Sequence, residues 1–511
     1  MDCKNGKSTI EASEAILKRF LIITALIASM TAPVNAHTWA RIEVQKNDSL
    51  SLKQCIEMAV FNAGAARRAY MNYEMATNSV GIAKSAFIPT LSAGVGLNVT
   101  DNSHLNNGKT SRTFPSIQAT LNQLIWDFGK TSALIRMSKF NKIMAKFQMD
   151  ELLNSIIYET KTVYYGVLAS KSYVDVEKAN VQINLRDYTR TKAFFDEGIR
   201  SKVDIVNSEY NLAQARMSLI DAETTYQTSW VTLNRKMSFL NPPEYEIENT
   251  ETFNLADNYY PASFLAASEN GSTDSNIDVA YKSSVTKSDI IGEYQFEKFP
   301  YTFEEAVEFA YKNRHDMQAL EASLSAMNEE LKYIKRQYYP SLTGNLGYGF
   351  TDTRATSSNN SYTLGVNLNS SINIKKVKHE IDNAKLQVGY VESEIGSRRL
   401  AIFCEVQDAY IRTMQLEKQI PLAEVKVRQA LENLELSEGR YEVGVGDFIE
   451  LQDAKVNYTN ACNSYVKVVY DYNIARATLE SVMCLHEDFF SQMEDKKQGK
   501  KTKKKKNDND E

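Results

Sequence analysis

Apolar residues in this chain keep two different periods, and the changes of period place its elements. From Leu52 the spacing is helical, with Leu52, Ile56, Ala59, Val60 and Ala63 on one face. After Pro89 it falls to two. Leu91, Ala93, Val95, Leu97 and Val99 share one face, and Ser92, Gly94, Gly96, Asn98 and Thr100 the other. A second strand follows, with Ile117, Ala119 and Leu121 opposed to Gln118, Thr120 and Asn122. After Pro340 the order returns: Leu342, Leu346, Tyr348 and Phe350 alternate with Thr343, Asn345, Gly347 and Gly349, and then Tyr362, Leu364, Val366 and Leu368 with Thr363, Gly365, Asn367 and Asn369. Strands of about ten residues, apolar on one face and small or polar on the other, fit a membrane barrel with a watery lumen. The edge of a soluble sandwich shows the same alternation. Four strands are too few to close a barrel and an open edge is not viable in lipid, so several copies of the chain must contribute to one barrel. On that reading Leu97, Val99, Leu346 and Leu364 face lipid, while Asn98, Asn345 and Asn367 face the lumen.

The remainder reads as long helices. No proline interrupts Lys130 to Asp196, a stretch that would span roughly 100 Å at 1.5 Å per residue. Val167, Val174, Val181, Tyr188 and Phe195 recur every seven residues, as do Ile420, Val427, Leu434 and Tyr441. Such a repeat implies a seam between supercoiling helices. Pro421 lies inside the second long helix and should kink it.

Both patterns occur twice because the chain is a duplication. Residues 302–352 laid over 51–101 at a constant offset of 251 give nine identities without a gap, among them Asn62/Asn313, Pro89/Pro340, Gly96/Gly347 and Asp101/Asp352. The sequence therefore divides into a first repeat, 37–240, a Ser-, Asn- and acid-rich connection, 241–300, and a second repeat, 301–487, before a Lys-rich tail, 488–511.

Composition narrows the functions. Charged residues at 24% and aromatic residues at 10% are those of a folded protein. Lys18 and Arg19 precede an apolar run ending in Val34-Asn35-Ala36, which reads as a secretory signal over 1–36. The competing reading is a membrane anchor, but about 13 apolar residues fall short of the roughly 20 that span a bilayer. Beyond residue 36 there are 55 basic and 61 acidic residues, a net charge of −6. Residues 496–506 hold eight lysines, while 241–300 hold eleven acids against three lysines. The lysine run fits a solvated tail or a segment bound to acidic lipid headgroups. Five cysteines and five histidines are scattered singly, which argues against a metal centre or a disulfide scaffold. No phosphate-binding glycine loop and no H-E-x-x-H occurs, so an enzyme would need a site the sequence does not offer, and no cofactor is called for.

Local motifs carry a resemblance. Phe87-Ile88-Pro89-Thr90-Leu91 and Tyr338-Tyr339-Pro340-Ser341-Leu342 stand where helix becomes strand, and Leu124-Ile125-Trp126-Asp127-Phe128-Gly129 where strand becomes helix. Glu197-Gly198-Ile199 and Val443-Gly444-Val445 stand at helical hairpins. In this order, twice over, they resemble the TolC family of outer-membrane efflux proteins across roughly residues 49–485. The resemblance implies a mainly α fold with a transmembrane β-barrel part: duplicated helix-strand-strand-helix halves forming a homotrimeric, 12-stranded barrel in outer-membrane lipid above a long periplasmic α-helical tunnel. It implies an exit duct for a tripartite efflux or type I secretion system, docked to a periplasmic adaptor and an inner-membrane transporter, with no nucleic acid involved. A helical adhesin or structural envelope protein is the alternative, separated from a duct by whether the protein conducts ions. Residues 373–376, Asn-Ile-Lys-Lys, depart from the first half's Trp-Asp-Phe-Gly, and the 241–300 connection is long for the family.

The resemblance also assigns sites. Pro89 and Pro340 mark the helix-to-strand junctions, and Gly198 and Gly444 the hairpin turns at the periplasmic tip. Asp204 and Tyr441 fall where the family latches the closed tunnel through a phenol-to-carboxylate hydrogen bond, although Tyr441 is also a heptad core position. The family's basic lock residue falls on Gly446. Glu450 and Asp453, three apart on one helix face, match the carboxylates that ring the tunnel entrance, and would otherwise be two solvated acids on an outer face.

Overall fold

The computed structural model describes residues 49–101, 111–240, 242, 244–248, 298–353 and 357–485, for 97–101, 111–115, 351–353 and 357–359 the backbone alone. The expected signal segment, most of the acidic connection and the Lys-rich tail lie outside the described residues, as do the side-chain directions of Leu97, Asn98 and Val99.

Each half opens with a short helix that breaks into a longer one. In the first half these are α1 (Leu52–Asn62) and α2 (Gly64–Ser85), in the second α5 (Phe303–Asn313) and α6 (His315–Lys335). The duplication extends to their caps. Ser51 with Gln54 and Thr302 with Glu305 form matching capping boxes, each hydroxyl accepting from the third amide of the helix. The breaks fall at Ala63 and Arg314, both extended, with ψ of 121° and 123°.

Strands β2 (Thr90–Asp101), β3 (Ser111–Trp126), β5 (Ser341–Thr353) and β6 (Ser357–Asn369) form one antiparallel sheet in that order. A small parallel bridge, β1 (Ser49–Leu50) with β4 (Glu246–Ile247), ties the residues just ahead of α1 to the first residues after the first half. Register settles which residues share a face: Leu91, Leu121, Leu346 and Leu364 lie in one cross-strand row, and Ala93, Ala119, Tyr348 and Tyr362 in another. Leu91, Val95, Leu346, Tyr362 and Leu364 are all exposed. The opposite face carries a polar ladder, in which Asn367 donates to Asn345 at 3.0 Å and Asn369 to Thr343 at 3.2 Å. A bulge between Leu124 and Trp126 sets Trp126 opposite Leu342 on the apolar face, and Ile125 packs over Gly344.

The long helices are α3 (Lys130–Asp196), α4 (Lys202–Lys236), α7 (Ile374–Glu442) and α8 (Phe448–Met483). Near the sheet the neighbours run α2, α3, α6, α7, the order of the strands they join; farther away α4 and α8 replace the short helices, giving α4, α3, α8, α7. On α7 the expected seam is buried at every expected position: from Ile402 to Tyr441 buried positions step by threes and fours through Val406, Leu416, Ile420 and Val427, with one step of seven to Leu434. On α3 it is not. Val167 and Val174 are buried, but Phe195 is 37% exposed, and Ile183, Asp187 and Thr191 take the inner face toward the tip. A stripe repeating every seven residues rotates off the face of a straight 3.6-residue helix by about 20° per repeat. Pro421 lies inside α7, which continues to Glu442, so the Glu417 carbonyl lacks its usual amide donor. No described helix is long and apolar enough to cross a membrane.

The two strand exits use different chemistry for the same turn. Phe128 and Gly129 both have positive φ, at 54° and 83°, and Asp127 accepts from the amides of Gly129 and Thr131 at 3.0 and 2.6 Å. Arg336, in a 3-10 turn after α6, donates to the Gly129 carbonyl at 2.5 Å. In the second half Asn373 caps α7 directly, accepting from Lys376 at 3.1 Å. The departure at 373–376 is thus a different cap, on a connection one residue longer, 370–373 against 127–129.

Candidate functional site

The two helical hairpins end in the same turn. Gly198 and Gly444 have φ of 78° and 79°, and the residue after each bonds back to a carbonyl five positions earlier, Ile199 to Phe194 at 2.8 Å and Val445 to Arg440 at 3.0 Å. That is the Schellman ending, which needs a left-handed residue and so favours glycine. The next helices begin at Ser201, whose hydroxyl accepts from the Asp204 amide, and at Asp447.

Tyr441 is fully buried at this tip. Arg200, from the first hairpin, stands over its ring with the guanidinium carbon 4.3 Å from the centroid and donates to the Tyr441 carbonyl at 3.4 Å. Arg190 approaches the same ring at 5.6 Å and Phe448 at 6.3 Å. The phenol-to-carboxylate bond expected between Tyr441 and Asp204 is not formed in the chain. The Asp204 carboxylate accepts from the Ser201 amide at 3.3 Å, and the Tyr441 hydroxyl, facing Thr191, has no partner of hydrogen-bonding geometry. Burial pushes the phenol's pKa up, an effect Asp187 and Asp204 reinforce and the Arg200 charge opposes.

Gly446 leaves no room for the basic residue that the resemblance expects there. A Cβ there would lie 2.8 Å from the Tyr441 nitrogen and 2.9 Å from the Arg440 carbonyl carbon, and its amide donates to Arg440 at 2.8 Å. No side chain fits this backbone. The cation beside Tyr441 comes from Arg200 instead, which motif reading missed because it belongs to the other hairpin.

Beneath the tip, Asp187 on α3 and Lys455 on α8 form an ion pair at 2.7 Å with side chains 2% and 3% exposed. Gln452 donates to Asp187 at 3.2 Å, and Arg190 spans from Asp187 at 3.4 Å to Glu442 at 2.6 Å. Burial pulls the Lys455 pKa down, opposed by Asp187 and Glu438. Burial pushes Glu438 up. Glu450 and Asp453 are both exposed on α8, and Glu450 lies 3.5 Å from Arg440. Pro89 and Pro340 sit at the starts of β2 and β5. Among the described residues no His, Cys, Asp and Glu cluster could hold a metal ion.

A sheet with one apolar face, one polar face and two open edges, continued by helices several times longer than a membrane is thick, fits a cell-envelope channel subunit. The comparisons agree with that class. The family model for outer membrane efflux proteins matches residues 57–237 and 307–484, one match per half, and the chain belongs to that family. Outer membrane protein TolC of Vibrio cholerae is 23% identical over 176 residues, 34% of this chain and 40% of that protein; TolC of Salmonella enteritidis is 18% identical over 181 residues, 34% of this chain and 37% of that protein. The aligned part thus spans less than half the length of either relative. Solved structures match further. The Campylobacter jejuni CmeC outer membrane channel superposes with a TM-score of 0.69 at 15% identity, covering 90% of this chain and 93% of that one. The open state of the Neisseria gonorrhoeae MtrE channel does so with 0.64 at 16%, covering 84% and 88%. The fold is that of outer-membrane channels, with a barrel part and a helical tunnel part, and the family is one of channels rather than enzymes.

Proposed function

We propose that three copies of this chain close into an outer-membrane exit duct, receiving substrates from a periplasmic adaptor and an inner-membrane transporter in a tripartite efflux or type I secretion system. The observation that carries this reading is that both layers end in open, complementary edges. The sheet stops at β2 and β6, and the shaft at α4 and α7. Besides its buried seam, α4 exposes a second apolar row, Val203, Val206, Tyr210, Met217, Ile220 and Val231, and α7 exposes Ile411, Leu422, Val425 and Leu436. Both rows step by multiples of threes and fours. A helix with seams on two sides has a neighbour on each, so α4 of one chain meeting α7 of the next closes a ring. Twelve strands then enclose a lumen wider than the eight-stranded barrels that side chains fill.

At the tip, Tyr441 with Arg200 holds one hairpin against the other, and Asp204 contributes as the capping-box partner of Ser201 and as a nearby charge. Glu450 and Asp453 supply six carboxylates per trimer to the tunnel entrance. Multi-angle light scattering in detergent tests the assembly: three chains are expected, and a stable monomer would overturn the proposal.

A further inference from the structure

The junction between sheet and shaft is strongly basic. Residues 82–89, 127–133, 332–340 and 370–378, the four connections with their adjoining helical turns, hold eight Lys and Arg residues against one acid, Asp127. That acid is buried and spent on two backbone amides. Lys84, Lys335, Lys375 and Lys378 are exposed and form no ion pair among the described residues.

Depth is fixed independently by an aromatic stack at the same level. Trp126 meets Phe128 at 6.2 Å, Phe128 stacks on Tyr339 at 5.3 Å, and all three are exposed. Trp and Tyr collect where apolar tails meet headgroups. Three of the four lysines lie six residues from the sheet and Lys378 nine, roughly 10 to 15 Å at 1.5 Å rise per residue, and their stems reach back toward a headgroup layer about 5 to 8 Å deep. In the ring proposed above, α2 of one chain adjoins α7 of the next. Lys84 then joins Lys375 and Lys378 at each subunit boundary, with no carboxylate in those junction residues to offset them.

We propose that this collar binds the anionic phosphodiester headgroups of the periplasmic phospholipid leaflet, and that the lipid supplies the counter-charge at the subunit boundaries. The inference rests on the trimeric barrel. Trp126 is a built-in probe. The full trimer is reconstituted in vesicles of phosphatidylcholine and phosphatidylglycerol, with one lipid brominated at a time, and quenching of the fluorescence that Trp126→Phe removes is compared. A preference for phosphatidylglycerol of about fivefold is expected, the contribution of roughly one near-surface lysine. It should fall toward unity in Lys84→Gln/Lys335→Gln/Lys375→Gln/Lys378→Gln and, for the unmodified chain, in about 0.5 M salt. Should the fourfold variant not assemble, the salt titration alone decides. Equal quenching by the two brominated lipids in the unmodified chain at low salt overturns the collar. Loss of the preference on adding inorganic phosphate at constant ionic strength also overturns it, in favour of a free-anion site. Quenching by neither lipid would instead overturn the barrel reading.

Discussion

Removing one member of the buried Asp187–Lys455 pair should loosen the tip, and removing both should largely restore it. At 2.7 Å, with side chains 2% and 3% exposed, the pair has an attraction of about 6 kcal/mol at an effective dielectric near 20. Desolvating two ions costs several kcal/mol each, so the pair's net contribution is near zero while either charge alone is a liability. The partners are not equivalent. Lys455→Met leaves Asp187 with Arg190 at 3.4 Å and Gln452 at 3.2 Å, so a loss of about 2 kcal/mol is expected. Asp187→Leu leaves a buried ammonium with only Glu438 as nearby counter-charge, and about 3 to 5 kcal/mol should be lost. The double variant should come within about 1 kcal/mol of the parent, a coupling of roughly 4 to 6 kcal/mol. Because a trimer in detergent does not unfold in two states, the readout is hydrogen exchange at amides 183–195 and 448–460, which reports local opening. Additive losses across the cycle would show that the two side chains are not coupled and would overturn this prediction.

Three further outcomes follow from the same geometry. Gly129→Ala should cost about 1 to 2 kcal/mol through its left-handed backbone alone, and more because the new methyl meets Arg336 Nη1 at 3.0 Å; thermal melts should show a drop, whereas Gly166→Ala, with nothing within 4 Å, should be neutral or mildly stabilising. Burial alone would raise the Asp316 carboxyl, but hydrogen bonds and charge from Arg314 and Arg398 outweigh it and hold it below its ordinary 3.8. Its stabilising contribution is therefore complete above pH 3.8 and lost as pH falls through the lowered value, so the melting difference between the parent and Asp316→Asn should be largest near neutrality and shrink in strong acid. Neutralising Glu450 and Asp453 together should reduce cation selectivity, read from reversal potentials across a salt gradient; unchanged potentials would place both acids on the outer surface.

Most of the architecture was legible because its elements are long and strictly periodic. Four alternating strands bracketed by Pro89, Trp126, Pro340 and Asn369 and an uninterrupted helix from Lys130 to Asp196 leave little room for other assignments. The α3 seam was read less well, since a seven-residue stripe does not say where a straight helix turns it away from its neighbour, and α3 has neighbours on two sides. The tip was legible only in part. Gly198 and Gly444 announce left-handed turns, but Arg200 reaches Tyr441 from 241 residues away, and the burial of Asp187 with Lys455 depends on how three helices meet. No local spacing encodes either. Gly446 was visible as a departure, and its reason, backbone at 2.8 Å, is a fact of packing.

A duct requires a water-filled passage through the assembled chain, and single-channel recording of the purified protein in a planar bilayer detects one. Discrete, stable conductance steps are expected, in units that scale with salt concentration and persist when the tail beyond residue 487 is removed. A protein that inserts as a trimer yet passes no current, even with the tip loosened by Asp187→Leu and Arg200→Ala, would contradict the duct and favour a structural role in the envelope.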